Sequence, residues 1–293
     1  MYIMRRFELE PYLRYIQAHQ ITDAGMVPPM VIAIIMSSIA KIYSMQSIRQ
    51  VLCGAAPLDK GSQARLQALL ADNATFTQVW GMTETSCICS MLSYPRSDTT
   101  GSVGFMLPGI DAKLVDDYGK DITAFDTRGE LCVRGPLIIN GYFENPEANA
   151  RDWDQDGYFH TGDVAYCDGK SKLWYIVDRK KELIKVRGFQ VAPPELEAVL
   201  LSHPHLIDAA VIGVKTSLEE SELPRAYVVR RPGMEGDKLT AEDVKKHLST
   251  KLANFKRLDG GVVFLDVIPK NPSGKILKRL LREQAAREMG AKL

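Results

Sequence analysis

The sequence lacks the features that would place it in a specialised class. Its five cysteines, Cys53, Cys87, Cys89, Cys132 and Cys167, are odd in number and scattered, which does not suit a disulfide framework and fits a reducing compartment. Cys87-Ile88-Cys89 has no second ligand pair to accompany it, so zinc is not expected. Long apolar runs are missing too. The most apolar stretch, Met30 to Met36, follows Pro28-Pro29 and falls far short of the roughly 18 to 20 residues that span a bilayer. MYIMRRFELEPY at the N-terminus has no signal-peptide core. Nor is one charge in excess: 37 Lys and Arg against 36 Asp and Glu give a net charge of +1, which offers little to nucleic acid or an anionic membrane. Internal repeats and low-complexity tracts are absent.

What remains is ample apolar material, 45% of 293 residues, and a length that predicts two domains. Phe7 to Gln20 predicts a helix, because Leu9, Leu13 and Ile16 recur at spacings of four and three. Thr22 to Pro29 reads as a short connection ending in paired prolines, which a first helical turn would tolerate. Ser47 to Cys53 predicts a buried strand, followed by the turn Gly54-Ala55-Ala56-Pro57-Leu58, a helix over Gly61 to Ala71 and a second strand, Phe76 to Val79. Such α/β crossovers place ligands at the C-terminal ends of strands. The small residues at 54 to 56 would let a flat ring approach the backbone, although they also suit an ordinary strand-to-helix turn. Asp111 to Val115 and Glu130 to Arg134 alternate as half-exposed strands and suggest a small β-barrel.

Past residue 178 the composition changes. Pro193-Pro194-Glu195 opens a helix carrying Leu196, Val199 and Leu200; strands follow at Ala209 to Val214, Ala226 to Arg230 and Val262 to Val267; and Ile276, Leu277, Leu280 and Leu281 mark a last helix. The expected class is α/β. A partial large domain over residues 1–177 is α/β to about 110 and β-barrel-like over 111–177, and a hinge joins it to a small α+β domain over 178–293.

Three stretches carry chemistry. Trp80-Gly81-Met82-Thr83-Glu84-Thr85 follows a strand; the Thr83 hydroxyl can donate to a phosphate oxygen, and the Glu84 carboxylate can hold Mg2+, a hard cation that prefers oxygen ligands. Alone, Thr-Glu-Thr suits a helix cap. Tyr158 to Gln190 combines an Asp in a turn, Thr161-Gly162-Asp163, with a β-like run from Leu173 to Val177 and the charged joint Asp178-Arg179-Lys180-Lys181-Glu182. It ends in a basic hairpin, Leu183 to Gln190, turning on Gly188. Without its context the charged run would be a solvated loop. Pro269-Lys270-Asn271-Pro272-Ser273-Gly274-Lys275 is a polar, mobile turn. From it Lys275 could carry a compact positive charge into a closing cleft, or simply stand as a surface lysine at a helix start.

These stretches, with Gly101-Ser102-Val103-Gly104, Leu107-Pro108-Gly109 and Tyr142-Phe143-Glu144-Asn145-Pro146, resemble in order the signature segments of adenylate-forming enzymes. That superfamily contains acyl-CoA synthetases, 4-coumarate-CoA ligases, luciferases and adenylation domains, and the resemblance is greatest to the 4-coumarate-CoA ligase-like synthetases. It implies adenylation of a carboxylic acid by ATP with Mg2+, then thioester formation with CoA. It also implies that Asp163 and Arg179 bind the ribose of ATP and that Gly54, Ala55 and Ala56 lie beside adenine. Trp80 stands where the family has an aromatic, usually Tyr, stacked on the base. Gly81 and Thr83 belong to the same nucleotide site, Glu84 holds Mg2+, and Lys275, in the motif PKxxxGK, is the catalytic lysine. Asp178 and Lys181 match the hinge, while Lys185, Gly188 and Gln190 match the hairpin presented to CoA.

The acyl pocket of 4-coumarate-CoA ligases falls on Leu52, Gly54, Ala55, Val79, Gly81, Cys87, Ile88 and Cys89. Leu52 replaces a residue often Lys in the plant enzymes, and Val79 replaces Gly. The inferred pocket is drier and narrower, suited to an apolar aryl or medium-chain fatty acid rather than 4-coumarate. The resemblance covers only about the second half of a usual member, since the family's phosphate loop, of the type SSGTTGxPKG, has no match. Met30 to Ile35 would then expose apolar surface unless a partner covers it. Two alternatives follow: a truncated, inactive remnant that binds nucleotide or a partner chain, and an adenylation enzyme that loads a carrier protein. Ala291-Lys292-Leu293 resembles the Ser-Lys-Leu class of peroxisomal address, implying an import receptor as partner and the peroxisome, rather than the cytoplasm, as location.

Overall fold

The spacing of Leu9, Leu13 and Ile16 closes into a helix, α1 (Leu9–His19), in the computed structural model, with Leu13 and Ile16 buried beneath it. The structure describes residues 1–215, 221–271 and 274–290; Pro272, Ser273 and the terminal Ala291-Lys292-Leu293 lie outside the described residues. Two compact units divide the chain, Met1–Ile176 and Val177–Leu293.

In the first unit the elements β1 (Asp23–Met26), α2 (Pro28–Met36), β2 (Gln50–Cys53), α3 (Lys60–Gln67) and β3 (Thr75–Gln78) build a parallel sheet ordered β1-β2-β3. Its register aligns Met26, Cys53 and Gln78 across one edge, so the three strands end together. Strand β1 lies in the segment expected to be a connection. Its four residues, Asp-Ala-Gly-Met, alternate exposed and buried, and pairing with β2 rather than any local preference holds them extended. Pro28 starts α2 at a position where its missing N–H costs nothing. Val31 and Ile34 of α2 are fully buried, and Met30, Ile32 and Ile35 pack half-buried against the same core, so the unit covers part of the face expected to lie bare. Asp59 caps α3 by accepting from the Ser62 N–H at 2.9 Å.

The rest of this unit is antiparallel. β4 (Ser90–Met91) pairs with β5 (Phe105–Met106). β6 (Asp111–Val115), β7 (Gly129–Arg134), β8 (Phe159–Cys167) and β9 (Trp174–Arg179) form a four-stranded sheet in that order, with α4 (Pro146–Asp152) between β7 and β8. The segment expected to form a barrel is this sheet, and among the described residues it does not close.

The second unit opens on a hairpin, β10 (Ile184–Val186) and β11 (Phe189–Val191), followed by α5 (Pro193–Leu201). β12 (Leu206–Lys215) pairs antiparallel with β13 (Glu222–Arg230), and β14 (Val262–Phe264) adds parallel to β13. The period of two in these strands splits the interior: Val211, Ala226 and Val228 pack with α5 and with α7 (Ala241–Ser249), which comes after α6 (Met234–Asp237). Ile212 and Tyr227 face the other way, toward Leu281 and Ala285 of α8 (Lys278–Gly290).

Candidate functional site

The ends of β2 and β3 bring the first group of expected residues together. The Val79 N–H donates to the Cys53 carbonyl at 2.8 Å and the Gly54 N–H to that of Met26 at 3.2 Å. A Cβ on Gly54 would sit 2.7 Å from Val79 Cγ2. Ala55 then turns through φ +72, so the chain leaves the strand sharply and presents Ala55 and Ala56 at the sheet's edge. Gly81 passes so near the following loop that a Cβ there would lie 1.7 Å from the Cys87 carbonyl oxygen, and only glycine permits that crossing. Gly54 with Val79, and Gly81 with Cys87 and Ile88, are thereby packed side by side; Leu52 is half-buried on β2 and Cys87 is exposed. Cys89 belongs to the core instead, with no exposure. Burial pushes its thiol up to about 11 and that of Cys53 up to about 12, which keeps both protonated and unreactive.

Asp163 reaches its place through a bulge. Cys132 pairs with His160 and Glu130 with Val164, so Leu131 alone faces Thr161, Gly162 and Asp163. Gly162 adopts φ +70, the Thr161 hydroxyl donates to the Leu131 carbonyl at 2.7 Å, and the Asp163 N–H donates to Thr161 Oγ1 at 3.1 Å. The segment expected to be a turn is therefore a distortion inside β8, and both Thr161 and Asp163 are buried. Trp80 Nε1–H donates to Asp163 Oδ2 at 2.8 Å. The bond is sheltered, since Trp80 is 7% and Asp163 4% exposed. It ties the Trp-Gly-Met-Thr-Glu-Thr and Thr-Gly-Asp stretches into one site, while the indole packs among Val103, Leu131 and Phe159.

Residues Thr83–Thr85 form a single 3-10 turn. Buried Thr85 holds it, accepting from the Met82 N–H at 2.9 Å, which leaves Thr83 exposed and Glu84 half-buried. Tyr142, in a motif that had no assigned role, donates its phenol O–H to Glu84 Oε1 at 2.8 Å, and the Ile139 N–H donates to the Glu84 carbonyl at 2.9 Å. Thr83 and Glu84 supply oxygen donors of the kind Mg2+ accepts. Among the described residues no group of three or more His, Cys, Asp or Glu could hold a metal. A single carboxylate with substrate phosphates is how that cation is commonly bound.

The second unit carries the other expected residues. In the β10–β11 hairpin Lys185 stands opposite Gln190, placing both side chains on one exposed face while Ile184, Val186 and Val191 are buried. The hairpin is pinned to the start of β13: the Lys185 N–H donates to Glu222 Oε2 at 3.0 Å and the Arg187 N–H to Ser221 Oγ at 2.8 Å. Gly188 turns at φ +86. Arg179 and Lys181 are exposed, whereas Asp178 is buried, 8% exposed, at the end of β9. Lys275 is exposed and its backbone is tied to Asn271, whose Oδ1 accepts from the Lys275 N–H at 2.8 Å and whose N–H donates to the Lys275 carbonyl at 3.0 Å.

The site thus gathers a sheet edge with glycine-dependent close approaches, a buried carboxyl group held by an indole and a half-buried carboxylate beside the exposed Thr83 hydroxyl, all on an α/β unit. Comparison with known proteins gives the family. The model of AMP-binding enzymes matches residues 1–143 and that of the AMP-binding enzyme C-terminal domain residues 195–275; the chain belongs to this adenylate-forming family. It is 57% identical to an acyl-CoA synthetase, ACTT5, of Alternaria alternata, over 98% of this chain and 50% of that protein. Identity is 54% to the phenylacetyl-CoA ligase epaB of Aspergillus niger, over 97% of this chain and 52% of the other, and 41% to 4-coumarate-CoA ligase 1 of Oryza sativa subsp. japonica, over 96% and 50%. The chain thus spans about half the length of the curated relatives it matches. Among solved structures, ATP-bound MatB of Rhodopseudomonas palustris superposes with a TM-score of 0.86 at 28% identity, covering 98% of this chain and 55% of that one.

Proposed function

We propose that this chain is the nucleotide- and thioester-handling part of an AMP-forming acyl-CoA ligase acting on an apolar aryl or medium-chain fatty acid. The observation that carries the reading is the Trp80–Asp163 hydrogen bond, which joins two nucleotide motifs 83 residues apart in one sheltered site. Asp163 and Arg179 would take the ribose, Gly54 to Ala56 and Trp80 the adenine, and Thr83 the phosphates. Mg2+ at Glu84 would neutralise phosphate charge as pyrophosphate leaves. Lys275 would bring its ammonium to the carboxylate attacking the α-phosphorus; Lys185, Gly188 and Gln190 would serve CoA after rotation about Asp178 and Lys181. The half-buried aliphatic side chains of Leu52 and Val79 support an apolar acid. Import into peroxisomes through residues 291–293 belongs to the same proposal and rests on sequence alone.

Pyrophosphate release with ATP, Mg2+ and a panel of acids, with and without CoA, tests this for the chain alone and joined to the half its relatives carry. Phenylacetate and medium-chain acids are expected to outpace 4-coumarate; equal turnover would refute the pocket reading. Lys275→Ala is expected to abolish adenylation, by 100-fold or more on the order typical of lost charge stabilisation, whereas Lys185→Ala slows mainly thioester formation. Identical profiles for the two variants would remove the division of roles. A second reading is favoured by the half-length match to relatives: a module that binds ATP without turnover, which would show saturable ATP binding and no pyrophosphate with any acid.

A further inference from the structure

Tyr142 is built into its position more firmly than its place in a surface connection requires. Its N–H donates to Asn149 Oδ1 at 2.6 Å, its carbonyl accepts from Asn149 Nδ2 at 3.0 Å, and its ring meets Trp153 edge-on with centroids 5.5 Å apart. Gly141 ahead of it takes φ +145 with the Asn149 side chain 3.0 Å from where a Cβ would stand, so the segment can lie against Asn149 only with glycine there. All this rigidity ends in one oxygen atom, the phenol that donates to Glu84 Oε1. The backbone of Glu84 is held by the same segment through the Ile139 N–H.

We propose that Tyr142 is a positioning residue for the divalent cation, holding the Glu84 carboxylate in the rotamer that meets a metal–nucleotide complex. The inference rests on the adenylating reading of this site. A free glutamate side chain must lose rotamer freedom to ligate a cation, and a rigid donor that orders it beforehand removes that cost. A phenol suits the task better than Lys or Arg would. It orients the carboxylate without adding a positive charge beside the cation's place, and the carboxylate, with its several lone-pair sites, can accept from it and still ligate a metal.

Binding of ATP to the chain, measured with Mn2+ in place of Mg2+ and again in EDTA, tests the proposal, with bound Mn2+ followed by electron paramagnetic resonance. Tyr142→Phe is expected to weaken Mn2+ in the ternary complex about tenfold, the lower end for one lost hydrogen bond to a charged group, while ATP affinity in EDTA stays at the wild-type value and a cooperative thermal transition is kept. Asn149→Ala, which loosens Tyr142 but keeps its hydroxyl, is expected to move Mn2+ affinity the same way, and Glu84→Gln to remove the metal-dependent gain. Unchanged Mn2+ affinity in both Tyr142→Phe and Asn149→Ala, or equal losses with and without metal, would overturn the positioning role and leave the nucleotide reading intact. If wild-type protein shows no gain in ATP binding from Mn2+, the adenylating reading falls and the proposal with it.

Discussion

Asp178 closes β9 with one carboxylate oxygen accepting from the Arg179 N–H at 2.7 Å and the other, Oδ2, buried without a partner. Burial pushes its pKa up to about 6 from 3.8; nearby Lys278 and the Arg179 N–H oppose the rise, while Glu197 and Glu182 add to it. A carboxyl raised on folding holds its proton more tightly in the native state. Its contribution to stability is therefore complete below about pH 3.8 and is lost as pH climbs through about 6, a change on the order of 3 kcal/mol. Asp178→Asn is expected to flatten stability between about pH 4 and 6 and to exceed wild type at pH 8 by about 1 to 3 kcal/mol in urea denaturation; parallel profiles would refute it. The sequence marked Asp178 as part of a charged joint but not as buried, because only the strand that carries it decides which side chains turn inward. The same limit hid Tyr142, whose partner Glu84 is 58 residues away.

At the scale of elements, turns written in glycine were the most legible. Arg187 and Gly188 both have positive φ, +48 and +86, between the paired residues Val186 and Phe189, the pattern of a type I′ hairpin turn. A Cβ on Gly188 would meet nothing within 4 Å, so backbone conformation alone demands glycine there, whatever CoA requires. Gly188→Asn is expected to be nearly neutral and Gly188→Val to cost roughly 1 to 2 kcal/mol, readable as a difference in thermal midpoint; equal midpoints for the two would show that the turn is not strained. Less legible were β1 and the Thr161–Asp163 bulge. A four-residue strand containing glycine has little local signal, and a bulge exists only relative to the strand opposite it. Helix α1 was foreseen within about two residues, since a periodic apolar stripe acts within one helix, and the paired prolines stand where α2 starts.

Across the whole molecule the apolar residues gather into separate cores: those among residues 13–76 and 80–176 lie in the first unit, and those among 184–264 and 207–285 in the second. Residues 178–293 expressed alone are accordingly expected to melt in one cooperative calorimetric transition; a broad, heatless trace would mean that this core does not suffice. The amino-acid order by itself determined the family and most of the alternation of strands and helices, because motifs and periodicities are local properties of the chain. Tertiary structure alone decided that Trp80 would hold Asp163, that Tyr142 would hold Glu84, that Cys89 would sink into the core and that Asp178 would be buried. Each of these depends on which distant segments pack together, and contact across 58 or 83 residues leaves no mark in the spacing of either partner.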